Sequence, residues 1–393
     1  MNLRPSLHPS VLRTQVDYEL LVSKSSLIAR ERSHGTRRPP PAAKLGPSIS
    51  IPLTTVSMEG SFDAYVSISF PGAGGALSAP LLVDSGNNSL IFPEYAAIAS
   101  LPGFAQNYQV LEYDIREPWG CPACKLRGPI KLPTADNGFL CIPDCIFYAC
   151  TGPNEDGDRT NNFGTGCLVP RKLGTIDTQS PLAVCKDYPF AEFNYAPAVQ
   201  IFQPGYGPLI VGNSFLTLYR DIPNGYQLFK IIEGQYWMSL RPKTLVVGNR
   251  RTNWPGDLAT SSLALIDTGG GPVFLSDPEN VIWARDWPPQ APLPRWVGGS
   301  YCCQATSANL VITLCDANKK EFSYTIDTKK LPPLVQGLTL VMCERCSYMG
   351  SLDDGKTPQN GMNIGGVSAL FNYILIDYVS ARVGLKAKPS ELI

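Results

Sequence analysis

The chain has 393 residues, its 33 Lys and Arg balance 33 Asp and Glu, and only 17% of its residues are charged, so it lacks the basic excess of a general nucleic-acid binder. Apolar residues make up 44%, enough for a sizeable core, and no uncharged apolar run reaches the roughly 20 residues that a membrane span needs. His8 and His34 are the only histidines; the body beyond them therefore contains no Ser-His-Asp triad, Cys-His pair or H-E-x-x-H zinc motif, and acid–base chemistry there falls to carboxylates, Lys, Tyr or Cys.

Residues 1–48 read as a basic, Pro-rich tail or pro-segment. They hold eight Lys or Arg against three acids, and Arg37-Arg38-Pro39-Pro40-Pro41 suits neither a helix interior nor a central strand. A segment of this kind can cover an acidic site and be removed by cleavage at its arginines. Arg4, His8, Arg13, Asp17 and Glu19 interrupt every stretch that could serve as the apolar core of a signal peptide. The twelve cysteines nevertheless favour a secreted or otherwise oxidising location.

From residue 49 the texture is that of strands. Ile49, Ile51 and Leu53 alternate with small or polar residues, as does Tyr65 to Phe70, and Leu81-Leu82-Val83 runs into Asp84-Ser85-Gly86. Gly and Pro together make up about 18% of the chain against a usual ~12%, which favours short strands and many turns; Ala96 to Leu101 is a short helical candidate. Further on, Cys121-x2-Cys124 and Cys141-x3-Cys145 have the spacing of a zinc ribbon. Cys150, Cys167 and Cys185 lie close by and make disulfides the favoured reading, with Cys343 and Cys346 pairing among Cys302, Cys303 and Cys315. Leu263-Ala264-Leu265-Ile266-Asp267-Thr268-Gly269 then repeats the strand-to-Asp pattern, its aspartate 183 positions after the first. Each copy is followed by an apolar strand ending in Gly, expected at Pro208 to Asn213 and at Met362 to Gly366. Two related lobes, residues 49–225 and 226–393, each presenting one carboxylate, explain the repeat.

Two such loops facing each other would place like charges so close that one proton is shared. The ionised member can then act as a general base on water while the protonated one polarises a carbonyl. The surroundings of both loops resemble the pepsin-like aspartic proteases. Asp84-Ser85-Gly86-Asn87-Asn88-Ser89-Leu90-Ile91-Phe92-Pro93 is similar to that family's first active-site loop. Tyr236 to Leu240 is similar to the strand that opens its second lobe. Ile364-Gly365-Gly366, Phe371-Asn372-Tyr373, Asp377 and Arg382-Val383-Gly384-Leu385 are similar to its closing strands.

The resemblance implies an all-β, bilobal fold of two six-stranded-barrel-like lobes with a cleft between them, and an aspartic endopeptidase acting on an extended polypeptide as a monomer. Asp84 and Asp267 would be the catalytic pair, with Ser85 and Thr268 in contact between lobes and Gly86 and Gly269 keeping the cleft floor low. It implies no metal and no cofactor. Trp119-Gly120, with Gly128 closing the hairpin, and Tyr113 are the two candidates for the aromatic of the flap that covers the cleft. The chain departs from the family at Asn87 and at Gly270-Gly271, where hydroxyl residues normally bond the outer carboxylate oxygens. Loss of such a bond raises a carboxylate's pKa, so a shifted pH optimum is expected. The same departures sustain an alternative, an inactive homologue that binds peptides or proteins in the cleft; a zinc-binding interaction protein is a third reading. The sequon Asn87-Asn88-Ser89 adjoins Asp84, where a glycan would block the cleft, and is not expected to be used.

Overall fold

The computed structural model describes residues 47–389 apart from 59–60, 73–74, 156, 168–179, 197–199, 204–206, 211–213, 233–237, 249, 254–262, 277–294, 298–299, 305–308, 328, 330–338 and 345–360. The tail up to residue 46, Tyr236-Trp237, Val211 to Asn213 and Cys346 thus lie outside the described residues. Among the described residues strand far outweighs helix, and the strands are arranged as a closed six-strand barrel and a half-barrel. This is the all-β architecture that the short alternating segments imply.

The first half of the chain forms β1 (Ser48–Met58), β2 (Ser61–Gly72), β3 (Gly75–Asp84), β4 (Leu90–Phe92), β5 (Gln109–Arg116), β6 (Pro122–Pro133), β7 (Phe139–Cys150), β8 (Asn162–Gly164), β9 (Phe190–Asn194), β10 (Gln200–Gln203), β11 (Gly207–Ile210) and β12 (Ser214–Tyr219). Short helices α1 (Tyr95–Ala99), near the expected Ala96 to Leu101, and α2 (Phe104–Asn107) follow β4. The second half forms β13 (Gln227–Lys230), β14 (Ser239–Val247), β15 (Arg250–Asn253), β16 (Ala264–Ile266), β17 (Val273–Ser276), β18 (Arg295–Val297), β19 (Ser300–Gln304), β20 (Leu310–Cys315), β21 (Glu321–Ile326), β22 (Thr339–Glu344), β23 (Gly361–Ile364), α3 (Ser368–Phe371), β24 (Asn372–Asp377) and β25 (Arg382–Ala387). Among the described residues no helix is long and apolar enough to cross a membrane.

The first barrel runs β2-β3-β8-β4-β7-β6 and closes where Ser69 pairs with Lys131. Closure removes the free strand edges and encloses a core in which the Phe70 ring meets those of Phe92 and Phe147 at 4.8 and 5.3 Å. Gly128 lies within β6, not at a hairpin turn as expected. A Cβ there would stand 2.2 Å from the Tyr108 ring, so the glycine makes room for an aromatic in the core.

The second half repeats the connectivity. Parallel β3–β8, antiparallel β4–β8 and parallel β4–β7 correspond to parallel β16–β23, antiparallel β17–β23 and parallel β17–β22. Met362 to Ile364 thus takes its expected place beside the second Asp strand. In the first half that place belongs to Asn162–Gly164, and Gly207–Ile210 pairs with Gln200–Gln203 instead. Apolar patterning selected the more hydrophobic segment, whereas the strand that pairs with β3 begins with a buried polar residue.

A run of strands, β13-β25-β24-β9-β12-β1, joins the two halves and continues into the barrel. Its seam is β24 on β9, with Ile374 opposite Phe193 and Ile376 opposite Ala191; all four side chains are fully buried. The hairpin β24–β25 is held by fully buried Asp377, which accepts from Val379 N and Ser380 N and pairs with Arg382. Phe193→Ala at the seam is expected to lower unfolding free energy by about 3–5 kcal/mol. Urea titration should show this as a lower midpoint with an unchanged slope.

Candidate active site

The buried strand Leu81-Leu82-Val83 ends at Asp84, and buried Ala264-Leu265-Ile266 ends at Asp267; the two aspartates are 6% and 7% exposed. Burial on both faces fixes each strand, so the carboxylates leave from rigid ends. The turns that follow are locked to each other. Ser85 N donates to Thr268 Oγ1 (3.1 Å) and Thr268 N to Ser85 Oγ (3.0 Å). Each hydroxyl then donates to a strand carbonyl across the pseudo-twofold axis, Ser85 to Ile266 O (2.8 Å) and Thr268 to Val83 O (3.0 Å). A small hydroxyl residue uses both its donor and an acceptor here, which no apolar residue can do.

Gly86 N donates to Asp84 Oδ1 at 2.7 Å and Gly269 N to Asp267 Oδ1 at 3.0 Å. A Cβ on Gly86 would stand 2.6 Å from Asp267 Cγ, and one on Gly269 2.7 Å from Asp84 Cγ. Each glycine therefore faces the opposite carboxylate, and the missing side chains let the two acids approach. The carboxyls of Asp84 and Asp267 are thus close enough to interact directly. Burial, then the neighbouring Asp267 carboxyl, hold Asp84 well above the usual carboxylate range, while Asn162 and Gly86 N pull it back.

The outer oxygens have partners that sequence reasoning missed. Asn162 Nδ2 donates to Asp84 Oδ2 and Asn363 Nδ2 to Asp267 Oδ2, both at 2.6 Å. Each asparagine sits on the strand that pairs in parallel with its Asp strand. The legible signal was the recurrence of Asn-apolar-Gly, Asn162-Phe163-Gly164 and Asn363-Ile364-Gly365. Gly270, expected only to lose a hydroxyl, makes space instead: a Cβ there would lie 3.0 Å from Asn363 Nδ2 and 3.1 Å from Asp267 Oδ2. Asn87 is turned away from Asp84, its Oδ1 accepting from Ser89 N at 2.9 Å. It is 6% exposed, so the sequon is shut off from a glycan. Fully buried Tyr195 is another residue the sequence reading missed. Burial, followed by the Asp84 and Asp267 charges, raises its pKa, against a lowering effect of Thr268.

The candidate flap residues separate. Tyr113 is 62% exposed on β5, where the pairing with β6 is bulged and Asp114 has a φ of 52°. Trp119-Gly120 lies in the turn between β5 and β6, and Trp119 packs against the cluster of Ile91, Cys121, Ala123, Tyr148 and Cys150. The eight cysteines whose side chains are described, at 121, 124, 141, 145, 150, 167, 185 and 315, are all thiols here. The zinc-ribbon spacing does not bring Cys121, Cys124, Cys141 and Cys145 into one cluster. Among the described residues the one group of three close donors is Glu117, Cys121 and Cys150. Positions three apart on an extended chain point to opposite faces, which separates Cys124 from Cys121.

No protein-family model matches the chain, and a search of curated proteins also finds no match.

Two outcomes follow from the geometry. Gly270→Thr alone is expected to destabilise by about 1–3 kcal/mol, because its side chain meets Asn363. Adding Asn363→Ala should recover most of that loss, which a double-mutant cycle of denaturant melts will measure. Because Asp84 binds its proton more tightly folded than unfolded, its contribution to stability is fully present below the unfolded pKa of about 4 and is lost as pH rises through the folded pKa. Asp84→Asn should therefore melt at a higher temperature than the wild type at pH 7, and the gap should shrink as pH falls towards 4.

Proposed function

We propose that this protein is a bilobal, pepsin-like aspartic endopeptidase that hydrolyses an extended polypeptide bound across the Asp84–Asp267 pair. The observation that carries the reading is the pair itself: two buried, directly interacting carboxyls at the ends of topologically equivalent strands, each held by a glycine N–H and an asparagine amide. Two buried carboxylates so close cannot both ionise cheaply, so the pair keeps one proton over a broad acidic range. The ionised member takes a proton from water as that water attacks the scissile carbonyl. The protonated member donates to the carbonyl oxygen, where negative charge develops. Return of protons to the amine and the oxygen completes hydrolysis without a covalent intermediate. The backbone of Gly86 and Gly269, with no Cβ above the acids, leaves the reacting atoms room to approach. The Trp119 turn is the element that would cover them and exclude water. The monomeric state and an oxidising compartment belong to the same proposal.

The hydroxyls that usually flank such a pair are replaced by amides, and an amide cannot relay a proton as a hydroxyl can. This favours, as a second reading, a homologue that binds peptides in the cleft without cleaving them. A pH–rate profile on an unfolded protein substrate decides between the two, using the full chain and a form lacking residues 1–48. Cleavage with an acidic optimum is expected, and Asp84→Asn or Asp267→Asn should each lower kcat by at least about 10²–10⁴-fold. A folded wild-type protein that is inactive from about pH 3 to 7 in both forms would overturn the enzyme reading.

A further inference from the structure

We propose that Cys121 and Cys150 are a redox-active thiol pair, closed to a disulfide by a low-molecular-weight disulfide such as oxidised glutathione, and that its state is felt by the segment that holds Asp84. The two sulfurs lie within 4.8 Å of each other, and the residues are 0% and 1% exposed. They come from neighbouring strands: Ala123 stands opposite Cys150, and Pro122 O accepts from Thr151 N at 2.7 Å. Cys121, just before β6, is thus the diagonal neighbour of Cys150.

The third member of the cluster does not make it a metal site. Glu117 Oε1 accepts from Cys121 N (2.8 Å) and Thr160 Oγ1 (3.1 Å), and Oε2 from Trp119 N (2.7 Å). The carboxylate is already employed in shaping the turn from Glu117 to Cys121, which leaves two thiols, too few for a structural zinc. Cys121 also differs from the other buried cysteines. Hydrogen bonding, chiefly from Cys150, lowers it to about 5, whereas burial raises Cys124, Cys145 and Cys167. A low-pKa thiol beside a partner thiol is the arrangement that reacts with disulfides.

The coupling runs through Thr160. Cys121 Sγ lies 3.5 Å from Thr160 Oγ1 and 3.5 Å from Asp158 O, and the Cys150 thiol donates to Thr160 O at 3.9 Å. Two residues on, Asn162 holds Asp84 Oδ2. In the oxidation, for which the turn from Glu117 to Cys121 must open because Cys121 is fully buried, Cys121 thiolate attacks oxidised glutathione; a sulfur–sulfur bond forms and one glutathione thiolate leaves and takes up a proton. Cys150 gives up its proton and attacks the Cys121 sulfur, releasing the second glutathione. Two protein thiols are oxidised and one glutathione disulfide is reduced. The Cys150 S–H that donates to Thr160 O is lost, so the contacts that fix Thr160 change.

The test does not depend on peptide hydrolysis, so its failure is distinct from failure of the enzyme reading. The full chain is equilibrated with oxidised or reduced glutathione, alkylated, and mapped as non-reduced peptides. A Cys121–Cys150 linked peptide is expected in the oxidised sample alone, and Cys150→Ser should instead carry one glutathione on Cys121. Thiols at 121 and 150 that stay free at equilibrium with excess oxidised glutathione, a link from Cys121 to any other cysteine, or one bound zinc per chain lost in Cys150→Ser would each overturn the proposal. For the coupling, the melting-temperature gap between wild type and Asp84→Asn at pH 7 is compared in the two redox forms. A change of a few degrees is expected; an identical gap overturns that part.

Discussion

The reciprocal hydrogen bonding of Ser85 and Thr268 is the constraint on which the centre of the molecule depends. Four bonds cross between the two halves of the chain at two side chains, all of them buried, where an unmade bond would cost the full desolvation of its donor or acceptor. The lock sets the separation of two strand ends, and so of Asp84 and Asp267. Only because it holds can two acids remain in contact within the core, an arrangement whose repulsion would otherwise part them. The seam of β9 and β24 carries the same joint outwards: it keeps the halves packed so that the lock is not required to resist their separation alone.

Around that joint the chain solves the problem of holding buried carboxylates with amides. Asn162 and Asn363 each occupy the strand beside the acid they serve, and at the second acid the exchange is visible as volume. Gly270 is small because the Asn363 side chain fills the space above Asp267 Oδ2. The two positions form one unit, so neither is interpretable singly. Read alone, Gly270 signals a missing hydrogen bond; read with Asn363, it signals a substituted one. The carboxylate keeps a charge-stabilising donor in the Asn363 amide.

The turn from Glu117 to Cys121 shows how a buried charge can serve local structure. Burial raises Glu117 to about 7, against the backbone donors of Trp119 and Cys121 that favour its ionised form. Its carboxylate gathers those N–H groups and the Thr160 hydroxyl, so it joins the hairpin turn to the segment that leads into β8. Trp119, the thiol pair and Asn162 thereby belong to one connected patch, whose apolar part includes Ile91, Ala123 and Tyr148.

Much of this was legible in the chain itself. Alternation and turn residues specify strands because a half-buried strand has a period of two. The repeated apolar strand into Asp, hydroxyl residue and Gly marks the two acids because each of those types is required locally, by the turn and by the strand end. What sequence could not decide were the partners. Asn162 and Asn363 lie 78 and 96 positions from the acids they hold, and a polar residue opening a three-residue strand has no periodic signature. The same holds for Gly128, whose neighbour Tyr108 is a core ring and not part of a turn, and for Cys121, which meets Cys150 and not the nearer Cys124. Local chemistry sets which residues can end a strand or make a turn; which of them touch depends on register and barrel closure, and those are decided by packing across the whole core.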